Sequence, residues 1–388
     1  MGALVALQMK ESTNKTVCFV VQFFDPFLRD GVAASTHDLG RFIQAQGHNV
    51  TLMSFHQDSA DSRRILHYLT RGSAAEVMES EADRCTVIIG GITLKIGLMA
   101  CRREEIFSCH PPLVSRMVRE LSDLGDSFVI TNEDDLTGLT AKFLARKAGA
   151  HFIHSGPCVG FYGDKPFYVN LLKKQTVFAV SRSVQRDLSG ELALPSLLWP
   201  PFIDLDRYVA TGKSGFAPVI GYYSAGLHKG DSLFLRLVRR CPEYRFIAVG
   251  SGLGPREDLK NLEVRGNIPD MTSFYRDISL LVVPSVVAEA HPRVILEAAV
   301  NGIPVIANNI GGIPEALGGS GILIDMEESE EEMAGKYAHA VVGLFSNTGV
   351  YGEYSEKALR RADEYRREIM AVSLENSRGF LASPHAHG

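Results

Sequence analysis

The sequence of 388 residues predicts an α/β protein made of two doubly wound parallel domains in tandem. Short apolar runs rich in β-branched residues alternate with longer amphipathic segments along the chain. Between Trp199 and Val219, several prolines and glycines interrupt regular structure before a new strand begins. We therefore expect a first domain over residues 1–205 and a second over residues 206–388.

In the first half, one segment has clear helical periodicity and several short runs resemble strands. A helix is predicted over 35–46, because Leu39, Phe42 and Ile43 share one face and Gly47 can end it. The predicted strands are Thr16–Phe24, Asn49–Phe55, Thr86–Ile89, Ser127–Thr131, Ala150–His154 and Thr176–Val180.

The second half repeats this alternation and ends in a charged helical tail. Its predicted strands are Val219–Tyr223, Arg245–Val249, Leu262–Arg265, Leu280–Val283, Pro304–Ala307 and Gly321–Ile324. Its predicted helices are Ser232–Arg240, Met271–Asp277, Pro292–Asn301 and Ile313–Leu317. The tail from Glu328 is expected to be helical, with its last helix crossing back to the first domain and residues 383–388 disordered.

Composition and charge exclude several classes of function. With 45% hydrophobic and 22% charged residues and a net charge of −5, the chain resembles neither a disordered protein nor a nucleic-acid binder. The longest apolar run, 85–101, is interrupted by Gly90, Gly91 and Lys95, and we interpret it as one buried strand with its turn rather than a membrane span. Scattered cysteines and an apolar start without a basic segment indicate a cytoplasmic protein without an integral membrane segment.

The most informative stretch lies between Val282 and Ala307. A strand is predicted to end at Pro284, and a helix to begin with Pro292 at its first position, where a missing N–H costs nothing. Free backbone amides near Arg293 and Val294 would then form an anion site at the carboxyl end of a strand.

Two glutamates flank the start of this predicted helix. Glu289 lies in the preceding loop and Glu297 lies inside the helix, so they would reach different parts of one elongated ligand. A carboxylate beside a phosphate would be repelled, whereas it can accept hydrogen bonds from the hydroxyls of a sugar or ribose. Alternatively, Glu297 simply caps or pairs on an exposed helix face.

Several motifs of this half occur together in the order found in one enzyme family. They are Pro284-Ser285, the Glu289-x7-Glu297 spacing, Gly302-Ile-Pro-Val-Ile, Gly311-Gly-Ile-Pro-Glu315 and Gly321-Ile-Leu. The sequence therefore resembles glycosyltransferase family 4, the retaining nucleotide-sugar transferases of GT-B fold. This resemblance implies two Rossmann-like domains that face an inter-domain cleft.

The resemblance implies roles for residues of the second domain. Glu289 would contact hydroxyls of the transferred sugar, and Glu297 would hold the ribose hydroxyls of the nucleotide. Lys229 would be the cation for the leaving diphosphate. The family's arginine is absent near Tyr222, and Arg293 is a candidate to compensate for it.

Other positions match the family more weakly. His154 resembles its histidine near the reacting sugar, and Gly31 falls where a glycine-rich loop faces the diphosphate. Gly250 and Arg265 match loops around the ribose and base, and the amide of Val294 belongs to the donor site. His291 replaces a phenylalanine of the family, where it would contact the sugar or phosphate, or cap the helix.

The implied reaction is transfer of a hexosyl unit, with retention, from a nucleoside-diphosphate sugar to an acceptor hydroxyl. A UDP-sugar is the expected donor, and a soluble saccharide or small molecule, such as a natural-product or polysaccharide precursor, is the expected acceptor. No metal or cofactor is expected. A GT-B sugar phosphorylase, a sugar-phosphate glycosyltransferase and a protein that binds nucleotide sugars without turnover remain alternatives. The sequence does not indicate the oligomeric state.

Overall fold

A computed structural model describes residues 15–21, 31–57, 59–72, 75–99, 111–125, 127–132, 136–153, 165–212, 216–224, 229–268 and 270–382. These residues form two compact units. The first contains the described residues up to Ala179, those from Asp187 to Phe202 and those from Ser373 onward. The second contains Val180–Arg186 and Ile203–Val372.

The first unit has a nine-stranded sheet with strand order β3-β4-β5-β2-β1-β6-β7-β8-β9. Its strands are β1 (Thr16–Val21), β2 (Asn49–Gln57), β3 (Glu76–Ser80), β4 (Arg84–Ile89), β5 (Ile92–Met99), β6 (Ser127–Asn132), β7 (Gly149–Ile153), β8 (Thr176–Ala179) and β9 (Leu197–Leu198). The helices among its strands are α1 (Gly31–Ala45), α2 (Ala60–His67), α3 (Pro111–Asp123), α4 (Leu136–Leu144), α5 (Lys165–Leu172) and α6 (Arg182–Leu192), whose first residues group with the second unit.

The central strands of this sheet are buried on both faces, as in other parallel sheets covered by helices. In β1, every residue after Thr16 is buried, and the strand pairs in parallel with β2 and β6. Continuous apolar runs with helices between them therefore predicted the α/β class correctly.

The run 85–101 contains two strands, so the prediction of one buried strand was wrong. The chain reverses at Gly90 and Gly91, both with positive φ, and β4 pairs antiparallel with β5. Because β5 in turn pairs in parallel with β2, the sheet is mixed. The two glycines interrupt the apolar run because they form the turn of a hairpin.

The second unit has a six-stranded parallel sheet with strand order β12-β11-β10-β13-β14-β15. Its strands are β10 (Val219–Tyr223), β11 (Arg245–Val249), β12 (Leu262–Val264), β13 (Leu280–Val283), β14 (Val305–Asn308) and β15 (Ile322–Ile324). Its helices are α7 (Asp231–Arg240), α8 (Met271–Asp277), α9 (Arg293–Ala299), α10 (Ile313–Leu317), α11 (Glu330–Phe345) and α12 (Thr348–Ala382), preceded by a 3-10 helix, Leu205–Tyr208. The predicted strands at β10, β11 and β13 are found with their predicted bounds.

The strand order reverses between β10 and β13. Strands β11 and β12 lie on one side of this pair, and β14 and β15 lie on the other. In doubly wound sheets, ligands bind at the carboxyl ends of the strands where the order reverses. The loops after Tyr223 and Val283 therefore frame the expected site of this unit.

The last helix, α12, contributes residues to both units. Its residues from Ser373 onward group with the first unit, where the hydroxyl of Ser373 lies 2.9 Å from the indole nitrogen of Trp199. The predicted disordered segment, 383–388, lies outside the described residues. None of the helices in the described part of the chain is long and apolar enough to cross a lipid bilayer.

Lys142 of α4 is a fully buried lysine whose Nζ donates to the carbonyl of Ala150 at 2.9 Å. Burial lowers its pKa well below the ordinary 10.5. The unfolded chain therefore binds this proton more tightly than the folded chain does, so the group destabilises the fold at neutral pH and does so less as the pH approaches 10.5.

We expect Lys142→Met to raise the free energy of unfolding at pH 7 by about 1 kcal/mol or more, because it removes a desolvated amine. The gain should be smaller at about pH 9.5, where the wild-type lysine loses its proton more easily on folding. Urea denaturation at both pH values measures this difference. A variant less stable than the wild type at both would contradict the prediction.

Candidate functional site

Lys229 and Glu289 meet at the point where the strand order of the second unit reverses. Lys229 lies just before α7, and Glu289 lies in the loop after β13, 60 positions further along the chain. The Lys229 Nζ is 2.5 Å from Oε1 and 2.6 Å from Oε2 of Glu289. Both side chains remain partly exposed, at 26% for Lys229 and 11% for Glu289. Two predicted site residues therefore form one ion pair.

The loop after β13 also supplies a hydroxyl to this pair. Ser285 Oγ donates to Oε1 of Glu289 at 2.6 Å. The loop can lie close to the chain before α7 because residue 230 is glycine, where an added Cβ would be 1.9 Å from the carbonyl oxygen of Pro284. This close approach brings Lys229 within reach of Glu289.

The backbone of the Glu289 loop packs directly against the loop before α10. The Gly312 N–H donates to the carbonyl of Glu289 at 2.6 Å. A Cβ on Gly312 would lie 1.7 Å from the carbonyl oxygen of Ala290. The Gly311-Gly312 motif therefore fixes the position of the loop that carries Glu289.

Glu297 is buried, which rules out the alternative that it lies on an exposed helix face. It belongs to α9, and its side chain is held from two directions. The hydroxyl of Tyr275 in α8 donates to Oε2 at 2.7 Å, and Arg293 Nε lies 3.4 Å from Oε1. Burial and the charge of Glu297 raise the pKa of Tyr275 well above 10, so this hydroxyl remains a donor at neutral pH.

Arg293 is the first residue of α9 and is also buried. Besides pairing with Glu297, it donates to the hydroxyl of Tyr208 at 3.1 Å, with its guanidinium over the Tyr208 ring. Pro292 precedes the helix as its N-cap with extended backbone, so the prediction that Pro292 is the first helical residue was wrong. Val294, the second residue of α9, is half-buried.

The family that this sequence resembles has an arginine near the position of Tyr222. In this chain, buried hydroxyl groups surround a carboxylate there. Tyr222 and Ser224, at the end of β10, donate to Oδ1 of Asp231 at 2.6 and 2.7 Å. Asp231 begins α7, where the helix dipole favours negative charge. Burial and the neighbouring carboxylate raise the pKa of Tyr222. Sequence reasoning missed this network, although an acidic residue two positions after Lys229 was a visible signal.

His291 is buried between Glu289 and α9, with its ring centroid 5.5 Å from that of Tyr365 in α12. Burial and the charge of Arg361 lower its pKa to about 3, so the imidazole is neutral. Within the described part of the chain, its Nδ1 has no hydrogen-bond partner. Pro292, and not His291, occupies the N-cap position of α9.

Gly250 and Arg265 lie at the ends of the neighbouring strands. Gly250 follows β11, and its N–H donates to the carbonyl of Gly266 at 2.7 Å. Arg265 follows β12 and pairs with Glu263 and Asp277, each at 2.7 Å. Its guanidinium is therefore already held by two carboxylates.

The remaining predicted residues belong to the first unit. Gly31 is the exposed first residue of α1. His154 follows β7 directly but lies outside the described residues. No group of three or more histidines, cysteines or acidic residues suited to a metal ion occurs among the residues that the structure describes.

The chain is similar to several known proteins. Residues 219–345 match the family of glycosyl transferases group 1. The chain is 30% identical over 158 residues to the D-inositol 3-phosphate glycosyltransferase of Streptomyces bingchenggensis, covering 36% of this chain and 33% of that protein. It is 29% identical over 246 residues to the enzyme of the same name from Mycobacterium sp. strain KMS, covering 62% of this chain and 49% of that one. The chain thus matches between a third and a half of the length of these relatives.

The fold extends further than the sequence similarity. Anabaena Alr3699/HepE, solved in complex with UDP and glucose and also with UDP-glucose, superposes with a TM-score of 0.71 at 18% identity. The superposition with the UDP and glucose complex covers 95% of this chain and 99% of that one. The expected GT-B class, with two Rossmann-like domains, is confirmed.

We expect Gly312→Ala to destabilise the second unit by about 1 to 3 kcal/mol, because the new Cβ overlaps the carbonyl of Ala290. The backbone of Gly312, with φ of −88°, is open to alanine, so the effect is steric. Gly343→Ala, on the exposed face of α11 with no neighbour within 4 Å, is the matched control and should stabilise slightly. Urea unfolding of both variants measures this, and equal stabilities would contradict the packing argument.

Proposed function

We propose that this chain is a retaining glycosyltransferase that moves a hexosyl unit from a UDP-sugar to an acceptor hydroxyl. The observation that carries the proposal is the ion pair between Lys229 and Glu289 at the strand-order reversal of the second unit. It joins a cation suited to a leaving diphosphate to a carboxylate suited to sugar hydroxyls. The matched family and the UDP-glucose complex of Anabaena Alr3699/HepE support the same assignment.

In the proposed reaction, the bond between the anomeric carbon and the diphosphate breaks, and a bond to the acceptor oxygen forms on the same face. The proton of the acceptor hydroxyl passes to the leaving phosphate oxygen, so no protein nucleophile is needed. Lys229 balances the charge that develops on the diphosphate. Glu289 accepts hydrogen bonds from sugar hydroxyls and fixes the sugar in the reacting position.

Glu297 holds the nucleotide rather than the sugar. Its burial next to α8 suits a carboxylate that accepts hydrogen bonds from ribose hydroxyls. Arg293 is engaged with Glu297 and Tyr208, so we assign it to the support of Glu297 and not to the diphosphate. Lys229 is then the principal side-chain cation of the diphosphate site, and the reaction needs no metal ion.

The acceptor is a soluble saccharide or another small polyol, bound by the first unit. The curated relatives are named for a phosphorylated inositol, which is a small polyol of this class. The free, buried thiols of Cys18, Cys85 and Cys241 fit a reducing cytoplasm as the site of the reaction.

A second candidate is a protein that binds nucleotide sugars without turnover. The observation that favours it is that Tyr222 and Ser224, in the region where the family that this sequence resembles has an arginine, instead hold the buried carboxylate of Asp231. With Glu289 also negative, less positive charge would stabilise a leaving diphosphate. Affinity for a nucleotide sugar without product release would support this candidate.

The test is calorimetric titration with UDP, GDP, ADP and dTDP, together with release of each nucleotide from its glucose and N-acetylglucosamine conjugates. We expect UDP to bind and its conjugate to be hydrolysed slowly, with the same rate in EDTA. Binding of none of the four nucleotides would overturn the proposal. If EDTA abolishes the activity and Mg²⁺ restores it, the part of the proposal that the reaction needs no metal ion is wrong.

The two glutamates should affect different kinetic parameters. Glu297→Ala is expected to weaken UDP binding about tenfold or more, because hydrogen bonds from the ribose to a charged group are lost. Glu289→Ala should mainly lower turnover, by about a hundredfold, because the sugar is no longer positioned. Glu331→Ala, which removes an exposed carboxylate paired with Arg236 and Arg240, is the control. Equal effects of both glutamate variants on binding and on turnover would count against these roles.

A further inference from the structure

The carboxylate of Glu297 is held by two side chains of different kinds. Tyr275 donates a hydrogen bond of 2.7 Å to Oε2, and the Arg293 Nε lies 3.4 Å from Oε1. Tyr275 comes from α8 and Arg293 from the first turn of α9, so the carboxylate is fixed by two separate elements. Such a carboxylate can rotate little without losing one of these partners.

Tyr275 cannot contact a ligand itself. Its side chain is fully buried, with 0% of its surface exposed, whereas Glu297 retains 5%. Any effect of the Tyr275 hydroxyl on a bound molecule must therefore pass through the Glu297 carboxylate. Because burial keeps the phenol protonated, its hydrogen bond to Glu297 persists over the neutral and alkaline range.

We propose that Tyr275 is a positioning residue that selects ribonucleotides over 2′-deoxyribonucleotides by fixing the Glu297 carboxylate. This inference rests on the proposed function, in which Glu297 accepts hydrogen bonds from ribose. A carboxylate has two oxygens that each accept more than one hydrogen bond, and the vicinal ribose hydroxyls offer two donors. Both donors are satisfied together only when the carboxylate plane is held in one orientation.

Arg293 contacts the other oxygen of the Glu297 carboxylate. Its positive charge balances Glu297, and its own guanidinium is fixed by the hydroxyl of Tyr208 in the 3-10 helix. The chain Tyr208–Arg293–Glu297–Tyr275 thus connects three elements around a single carboxylate. These side chains select for the ribose diol and make no use of the base or of the transferred sugar.

The experiment compares the affinities of UDP and 2′-deoxy-UDP for the wild-type chain and for Tyr275→Phe by calorimetry. We expect the wild type to prefer UDP by about tenfold or more, as for a hydrogen bond to a charged group. Tyr275→Phe should reduce the ratio of the two affinities to about threefold or less, because Glu297 is then free to turn away from the diol. The reduction should come mainly from weaker binding of UDP. Affinity for 2′-deoxy-UDP should change little.

Tyr337→Phe is the matched control. Tyr337 is another fully buried tyrosine of the second unit, and its hydroxyl donates to Oδ1 of Asn308 at 2.8 Å instead of to Glu297. It should leave the preference for UDP unchanged. Arg293→Lys provides a second variant if Tyr275→Phe is too unstable to titrate, and it should also reduce the ratio because the contact from Nε is lost.

Three results would overturn the proposal. If Tyr275→Phe keeps the full preference for UDP over 2′-deoxy-UDP, Tyr275 has only a packing role. A wild type that binds both nucleotides equally would show that Glu297 does not recognise the diol. A wild type that binds neither nucleotide would remove the proposed function together with this inference, so the two failures can be told apart.

Discussion

The candidate site depends on the ion pair between Lys229 and Glu289. In the proposed reaction, Glu289 contacts the sugar and the diphosphate lies beside it, so the two negative groups would repel each other without a cation between them. We propose Lys229 as that cation, and its Nζ lies within 2.6 Å of both carboxylate oxygens of Glu289. The ion pair holds this partly buried carboxylate in place. In the proposed donor site, the diphosphate therefore competes with Glu289 for Lys229.

Backbone contacts make this charge arrangement possible. The Glu289 loop lies against Gly312 on one side, and its start at Pro284 lies against Gly230 on the other, so close that neither glycine leaves room for a side chain. The Gly230 contact arises where β10 and β13 lie next to each other in the sheet, and the Gly312 contact arises where β13 and β14 do. The parallel sheet thus determines which loops meet, and glycines allow them to approach within hydrogen-bonding distance.

Much of the second unit could be predicted from sequence because its central strands β10, β13 and β14 are almost entirely buried and form continuous apolar runs. The bounds of β10, β11, β13, α8 and α10 agree with prediction. The hairpin β4–β5 could not be predicted in the same way, since a buried apolar run with glycines fits both one strand with a turn and two strands. Tyr275 gave no sequence signal at all, because its contact with Glu297 spans 22 positions and depends on how α8 and α9 pack. The roles assigned to Glu289, Glu297 and Lys229 remain predictions, although the structure brings Lys229 and Glu289 together.

The competition for Lys229 can be tested through one affinity. The substitution Glu289→Gln removes the negative charge that holds Lys229 and preserves the size of the side chain. Calorimetric titration of this variant with UDP gives the affinity. The account predicts that UDP binds this variant several times more tightly than the wild type, and that adding Lys229→Met abolishes the gain. If Glu289→Gln binds UDP with unchanged or weaker affinity, Glu289 does not compete with the diphosphate and the central claim is wrong.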